Sequence, residues 1–185
     1  MKSQKIIGSR IYLKPLMRSN ITGRVLKWLQ DDLVTRYIES TPPRSVSDLV
    51  RFYGRIIKSE NDKIFAIYLK RPALYIGNIK LGNINWRHKY ADLGILIGEK
   101  NYWGKGYCQE SVRLFLKYAF DFLKLHKVFL GVCEDNRAAV KAYANIGFKI
   151  EGRIKELLNY EGRYLDKIIM GISSKEFKEA GRNND

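Results

Sequence analysis

The spacing of apolar residues changes from strand to helix period in the middle of the chain, and that change limits the folds open to it. Upstream of Gly104-Lys105-Gly106 the segments Ile64–Leu69, Ala73–Trp86 and Tyr90–Gly98 read as strands, the first two separated by Lys70-Arg71-Pro72. Downstream, apolar side chains fall at 108, 112, 115, 116, 119, 120 and 123, one stripe of a helix from Gly106 to Leu123. A buried strand, Val128–Cys133, follows. A short helix then runs from about Arg137 to Ile146 and ends at Gly147, and Phe148–Ile150 and Leu165–Ile172 close the pattern as strands. An antiparallel meander followed by strands alternating with helices implies one α+β sheet with helices on both faces.

The N-terminal part supplies a strand over Arg10–Leu16 and a helix whose apolar residues are Val25, Leu26, Leu29 and Leu33. Thr41-Pro42-Pro43 interrupts it, since the residue before a proline avoids helical backbone. Ser45 or Ser47 can cap a second helix carrying Leu49, Phe52, Tyr53, Ile56 and Ile57. After Ser173 the sequence turns polar and is expected to fray. Residues 1–172 are thus expected to form a single domain, with 173–185 as a polar tail.

Composition excludes several classes. Hydrophobic residues at 45% and charged residues at 29% suit a folded chain with a real core, not a disordered one. The two cysteines, Cys108 and Cys133, are too few for a disulfide framework and read as buried thiols of a reducing compartment. No apolar run is long enough for a signal sequence or a membrane span, so a cytoplasmic location is expected. The unusual quantity is charge. Lys and Arg number 34 against 19 Asp and Glu, a net +15 that asks for an anionic partner.

Most site motifs fail. Gly104-Lys105-Gly106 could open a dinucleotide fingerprint, but Gln109 stands where the third glycine belongs. Lys105-Gly106-Tyr107 mimics the start of an RNA-binding strand only until Cys108. His88 and His126 have no partners at ligand spacing, so no metal is expected. What survives is a strand ending at Leu96-Ile97-Gly98, a short loop, and glycines opening a long helix. Unpaired N–H groups and a partial positive charge at a helix start make this a phosphate cradle, flanked here by Lys100 and Lys105. An ordinary strand–turn–helix junction has the same pattern. Farther on, Asn136 and Tyr143, seven residues apart, share one helix face, where Asn136 also suits a helix cap and Tyr143 a core aromatic.

Taken together, Leu96-Ile97-Gly98, the Asn-x-x-Gly-x-Gly loop at 101–106 and Asn136-x6-Tyr143-x3-Gly147-Phe148 resemble the GNAT N-acetyltransferases over nearly the whole chain. Arg10–Leu16, Trp28-Leu29 and Val34–Tyr37 are similar to the branch that acetylates ribosomal-protein N-termini, polyamines and amino sugars. The resemblance implies a GNAT-like, mixed but largely antiparallel sheet of six to seven strands with helices on both faces. It implies acetyl-CoA as cosubstrate, held by Leu96, Ile97, Gly98, Asn101, Trp103, Gly104, Lys105, Gly106, Tyr107, Cys108, Gln109 and Asn136. Tyr143 would be the catalytic acid that protonates the departing thiolate. Two positions depart from the pattern. Asn101 replaces the usual Gln or Arg, and Gly131 stands where one protein N-terminal branch has its Glu base.

The base is left open among Asp92, Glu99, His88 and a water chain. Tyr37, Glu39, Trp86 and His88, with Tyr160, are the expected acceptor-pocket residues. Direct acetyl transfer to a small-molecule primary amine, foremost a nucleotide-linked amino sugar, is the leading expectation. A ribosomal-protein N-terminus is the alternative, and a non-catalytic nucleic-acid-binding protein is the alternative of another class. A homodimer is compatible with the sequence.

Overall fold

A computed structural model describes residues 5–182. Eight strands form one sheet, β1 (Ile6–Ile7), β2 (Ile11–Pro15), β3 (Lys63–Leu69), β4 (Tyr75–Asn85), β5 (Tyr90–Ile97), β6 (Lys127–Cys133), β7 (Lys149–Tyr160) and β8 (Arg163–Ser173). Their spatial order is β1-β2-β3-β4-β5-β6-β8-β7, and every neighbouring pair is antiparallel except β5–β6. The sheet therefore exceeds the expected six to seven strands by the two-residue β1, too short to show a period.

On one face lie α1 (Gly23–Leu29), α2 (Asp32–Thr35) and α3 (Val46–Lys58), whose Val25, Trp28, Leu29, Val34, Leu49 and Tyr53 pack on Ile64 and Ala66. On the other lie α4 (Tyr107–Lys117), continued by a π turn over Tyr118–Phe122, and α5 (Arg137–Ala144). The α4 stripe is buried as its spacing requires, with Val112, Phe115, Leu116 and Ala119 at 0% exposure against Ile79, Leu81, Leu93 and Val128. Burying side chains of the size of Phe115 and Leu116 stabilises the fold by about 1.5–3 kcal/mol each.

Three expectations are corrected. The first N-terminal helix divides, because Asp31 caps a new start by accepting from Leu33 N–H, and Leu33 is left 60% exposed while Val34 takes the core position. The strand expected over Phe148–Ile150 extends to Tyr160; β7 is an exposed edge, and its charged residues hide the alternation that marks half-buried strands. The tail expected to fray instead carries α6 (Ser174–Arg182), with Phe177 packed on Phe120 at 5.6 Å; only residues 183–185 of it lie outside the described chain.

A capping box starts α6. The Glu176 carboxylate accepts from Ser173 N–H and Oγ–H at 2.8 Å, and Ser173 Oγ accepts from Glu176 N–H at 3.2 Å. Lys149 pairs with the same carboxylate at 2.9 Å. That ion pair first, and then Ser173, holds the Glu176 carboxyl down to about 2 from its ordinary 4.5. Glu176→Gln is expected to cost about 1 kcal/mol at pH 7, or roughly 2–4 °C in Tm. A lowered carboxyl stabilises only while ionised, so the gap from wild type should hold above pH 4.5 and narrow towards pH 2 in thermal melts at stepped pH.

Candidate active site

The parallel pair β5–β6 is in register only at Tyr90↔Lys127, Ala91↔Val128 and Asp92↔Phe129. Beyond Asp92 the strands diverge, so from Leu93 to Ile97 β5 keeps β4 on one side and has no strand on the other. This opens a V in the sheet, with a row of backbone groups along one wall.

At the mouth of the V is the start of α4. Gly104 (φ +69°) and Gly106 (φ +80°) both have left-handed backbone, which favours glycine, and a Cβ on Gly104 would meet nothing within 4 Å. Gly106 is the N-cap and supplies no side-chain cap, so the first-turn N–H groups of Tyr107, Cys108 and Gln109 face outward without a side-chain acceptor among the described residues. Arg10 fastens this loop to β2. Its Nη1 donates to the Lys105 carbonyl at 2.9 Å, its guanidinium lies over the Tyr107 ring at 4.5 Å, and its Nε pairs with Glu110 at 2.9 Å. Glu110 also accepts from the backbone N–H of Arg10 at 2.7 Å.

Trp103 donates its indole N–H to the Ile97 carbonyl at 2.7 Å, closing the loop back on the strand end. Gly98 is needed for a different contact: a Cβ there would stand 2.1 Å from the Trp28 ring, and its N–H already donates to Ile76 at 2.9 Å. Asn101 is exposed and lies beside Lys100 and Glu99, lining a 250 Å³ recess with Arg24, Trp28 and Asp31.

On the far wall, Asn136 caps α5 by accepting from Ala139 N–H at 3.3 Å, which leaves its amide N–H groups without a partner among the described residues. Tyr143 is 9% exposed and packs edge-on to Phe148 at 5.7 Å. Burial is the main cause that raises its phenol well above the usual 10, with Cys108 and Asp92 near enough to add to the shift. Burial also pushes the Cys108 thiol up to about 11, so it is a neutral, core-packed group at pH 7 and a poor nucleophile. Tyr143 and Cys108 thus face the α4 side of the sheet where the strands part, with Asp92, on the other face, within electrostatic reach of Tyr143.

The opposite face of the V carries the acidic side chains. Side chains alternate along β5, so Asp92 points away from the α4 core, to the side of Gly94, Leu96 and the α2–α3 connection. Burial is the largest influence on Asp92 and raises its carboxyl above the ordinary range. Lys80 and Lys167 pull it back, and Glu39 pushes it further up. Glu39, in the α2–α3 connection, pairs with Lys167 of β8. A cavity of about 590 Å³ lies on one side of this connection, lined by Ile38, Ser40, Lys80, Gly94 and Leu96. Another of about 750 Å³ lies on the other side, lined by Tyr37, Asp135, Tyr160 and Arg163. Tyr37 meets Tyr160 edge-on at 5.9 Å.

Trp86 and His88 are not brought to the cleft. They sit in the β4–β5 hairpin, at the Tyr90 end where β5 and β6 are still paired, and Trp86 is bonded to Asn61 at 3.0 Å. Glu99 is also removed as a base. Burial works to raise its carboxyl, but the bonds from Arg24 (2.8 Å) and Trp28 (2.9 Å) outweigh it and hold it below its ordinary value.

Residues 10–149 match the acetyltransferase (GNAT) domain. The chain belongs to the GNAT acetyltransferase family. It is 30% identical over 161 residues to a spermidine N(1)-acetyltransferase of Vibrio cholerae serotype O1, covering 86% of this chain and 91% of the relative. It is 27% identical over 168 residues to a spermidine N(1)-acetyltransferase of Escherichia coli K12, covering 90% and 88%. The crystal structure of spermidine N-acetyltransferase from V. cholerae in complex with CoA and spermine superposes with a TM-score of 0.84 at 27% identity, covering 91% of this chain and 98% of that one.

Acetyl-CoA is the family's cosubstrate, and the residues present fit it. Its pyrophosphate needs backbone N–H donors with open approach, which the glycines and the uncapped start of α4 supply. Its amide-bearing arm needs an unpaired strand edge, which β5 supplies beyond Asp92. Gly104, Gly106, Tyr107, Cys108 and Gln109 would hold the phosphates, and the backbone of Leu96 and Ile97, with Asn136, the arm. When bound, it brings the acetyl thioester. No group of three or more potential metal ligands occurs among the described residues, and no described helix is long and apolar enough to cross a membrane.

Sequence reasoning missed Arg10, Glu110, Lys80 and Lys167. The first two act across 95–100 residues of chain, and no spacing rule reaches that far. A signal existed only for Gly131, whose missing side chain marked the place where Lys167 lies.

Proposed function

We propose that this GNAT enzyme acetylates a primary amine of a small aliphatic polyamine, by direct transfer from the thioester to nitrogen. The observation that carries the reading is the pair of carboxylates, Asp92 and Glu39, on the acceptor face of the V opposite the phosphate cradle. A diamine or triamine can place its reacting nitrogen by Asp92 and a second ammonium by Glu39. The polyamine-acetylating relatives support the same acceptor class. They lend no support to the nucleotide-linked amino sugar expected from the sequence.

Asp92 takes the proton from the attacking nitrogen as the C–N bond forms, and a half-buried carboxylate with a raised pKa suits that base. Tyr143, kept protonated by burial, gives its proton to the thiolate as the C–S bond breaks. Neutral Cys108 takes no covalent part. The proton balance closes: one leaves nitrogen, and one reaches sulfur.

A panel of acceptors with acetyl-CoA, read by free-thiol release, tests this. Spermidine or spermine should exceed an amino-sugar nucleotide and a ribosomal N-terminal peptide by about 100-fold in kcat/KM, the discrimination that a mispaired ammonium site gives. Preference for the peptide or the sugar would overturn the reading.

A further inference from the structure

β6 has a glycine, Gly131, on the acceptor face, and the space above it is filled by another strand's side chain. A Cβ on Gly131 would stand 2.0 Å from Lys167 Cε and 3.0 Å from Lys167 Nζ. Lys167 therefore lies flat across β6, 21% exposed, and its ammonium reaches the α2–α3 connection. There it engages both Glu39 oxygens, Oε1 at 2.7 Å and Oε2 at 2.8 Å. Glu39 itself is 47% exposed, with a cavity on either side of the connection that carries it. Asp92 feels both partners, so the pair stands within electrostatic reach of the reacting centre.

Several charged or titratable groups face this spot. Asp92 and Lys80 come from the central strands, Lys167 from β8, Glu39 from the connection, and Tyr37 and Tyr160 from beyond it. Lys80 is itself paired with Asp62 at 3.8 Å, so Lys167 is the ammonium matched to Glu39. A carboxylate already holding an ammonium in two short contacts offers little to a second one unless the first leaves. Lys167 is long and unbranched, and among the described residues its ammonium is held by this pair, so it can leave.

We infer that Lys167, lying over Gly131, is a specificity-determining residue that occupies Glu39 in place of the acceptor's second ammonium. The inference rests on the polyamine reading above. A polycationic acceptor must displace Lys167 to reach Glu39, whereas a monoamine reacts at Asp92 without touching the pair. Lys167 thus lowers discrimination in favour of polycations. Gly131 is part of the device, because any side chain there would push Lys167 off its path.

Two variants separate charge from packing. Lys167→Met keeps the stem and removes the ammonium; it should lower KM for spermidine about tenfold, by freeing a partly buried carboxylate, while any change of kcat through Asp92 is shared by spermidine and propylamine. The KM of a monoamine such as propylamine should stay within twofold. Gly131→Ala keeps the ammonium but displaces it, and should shift the spermidine-to-propylamine ratio in the same direction, by about threefold. Adding Glu39→Gln to Lys167→Met should erase the gain. Calorimetric titration of spermidine into the CoA-loaded enzyme gives the same comparison without turnover, and thermal melts report any loss of fold.

A folded Lys167→Met enzyme whose spermidine-to-propylamine ratio and spermidine affinity both match wild type overturns the inference while leaving the polyamine reading intact. A wild type that neither binds spermidine nor acetylates any free amine overturns both.

Discussion

Replacing Tyr143 by Phe should lower kcat about 10²-fold or more, leave the KM for acetyl-CoA within threefold, and leave Tm unchanged. The size follows from the usual yield of a positioned general acid. The unchanged Tm follows from the structure, where the ring, which the substitution keeps, carries the packing on Phe148. The defect should be selective for the leaving group. An acetyl thioester of a more acidic thiol needs less protonation as it departs, so it should recover much of the lost rate with the Phe variant and gain little with wild type. The pH profile supplies a further check. Burial raises the Tyr143 phenol, and the acid form is the active one, so any alkaline limb due to Tyr143 lies above pH 10. Turnover within threefold of wild type would remove Tyr143 from the chemistry.

Asp92→Asn should separate activity from stability in opposite directions. A base lost from the reacting centre should lower kcat about 10²–10⁴-fold. The side chain is nearly isosteric, so KM values should move little. Burial raises the Asp92 carboxyl, meaning that the folded state penalises its charged form. That penalty is present above the folded-state pKa and absent once the group is protonated in both states. The Asn variant should therefore melt at or above the wild-type temperature at pH 7, with the difference closing as pH falls through the carboxyl's titration. The acid limb of wild-type kcat/KM should lie above the ordinary 3.8 and be missing from the variant. An Asn variant that retains activity within threefold would leave proton removal to solvent. One that loses activity together with several degrees of Tm would make Asp92 structural.

The cofactor side of the site was legible in the sequence because it is local. Gly104 and Gly106 stand two residues apart, their backbone needs left-handed geometry, and the helix they open follows at once. Tyr143 and Asn136 share one short helix, so their spacing carries their geometry. The acceptor side was not legible. Among the residues expected there, Tyr37 and Glu39 lie in the α2–α3 connection, while Trp86 and His88 sit at the closed end of the β5–β6 pair. Nothing in the sequence distinguishes the two ends of β5, because the divergence after Asp92 depends on how β5 pairs with β6, a strand distant in sequence. Asp92, Glu99 and His88 were equal candidates for the base until their surroundings were known. Arg24 and Trp28 then accounted for Glu99, the hairpin for His88, and Asp92 alone was left half-buried by the V.

The tail shows the converse. Ser173-Ser174-Lys175-Glu176 is a capping-box signature open to reading, but the polar composition around it masked a helix held by Phe177 and Lys149. The net charge of +15 suits an anionic cosubstrate and should repel a polycationic acceptor at long range. Acceptor recognition therefore falls to the few groups that face the V.

By itself the sequence determined the α+β sheet, the glycine-opened start of α4, and the family, since each rests on spacings within a few turns or strands. Only the tertiary structure placed Asp92, Glu39 and the lysine lying over Gly131. Those depend on charges brought together from β4, β5, β8 and the α2–α3 connection, and a carboxylate's chemistry is set by its neighbours in space.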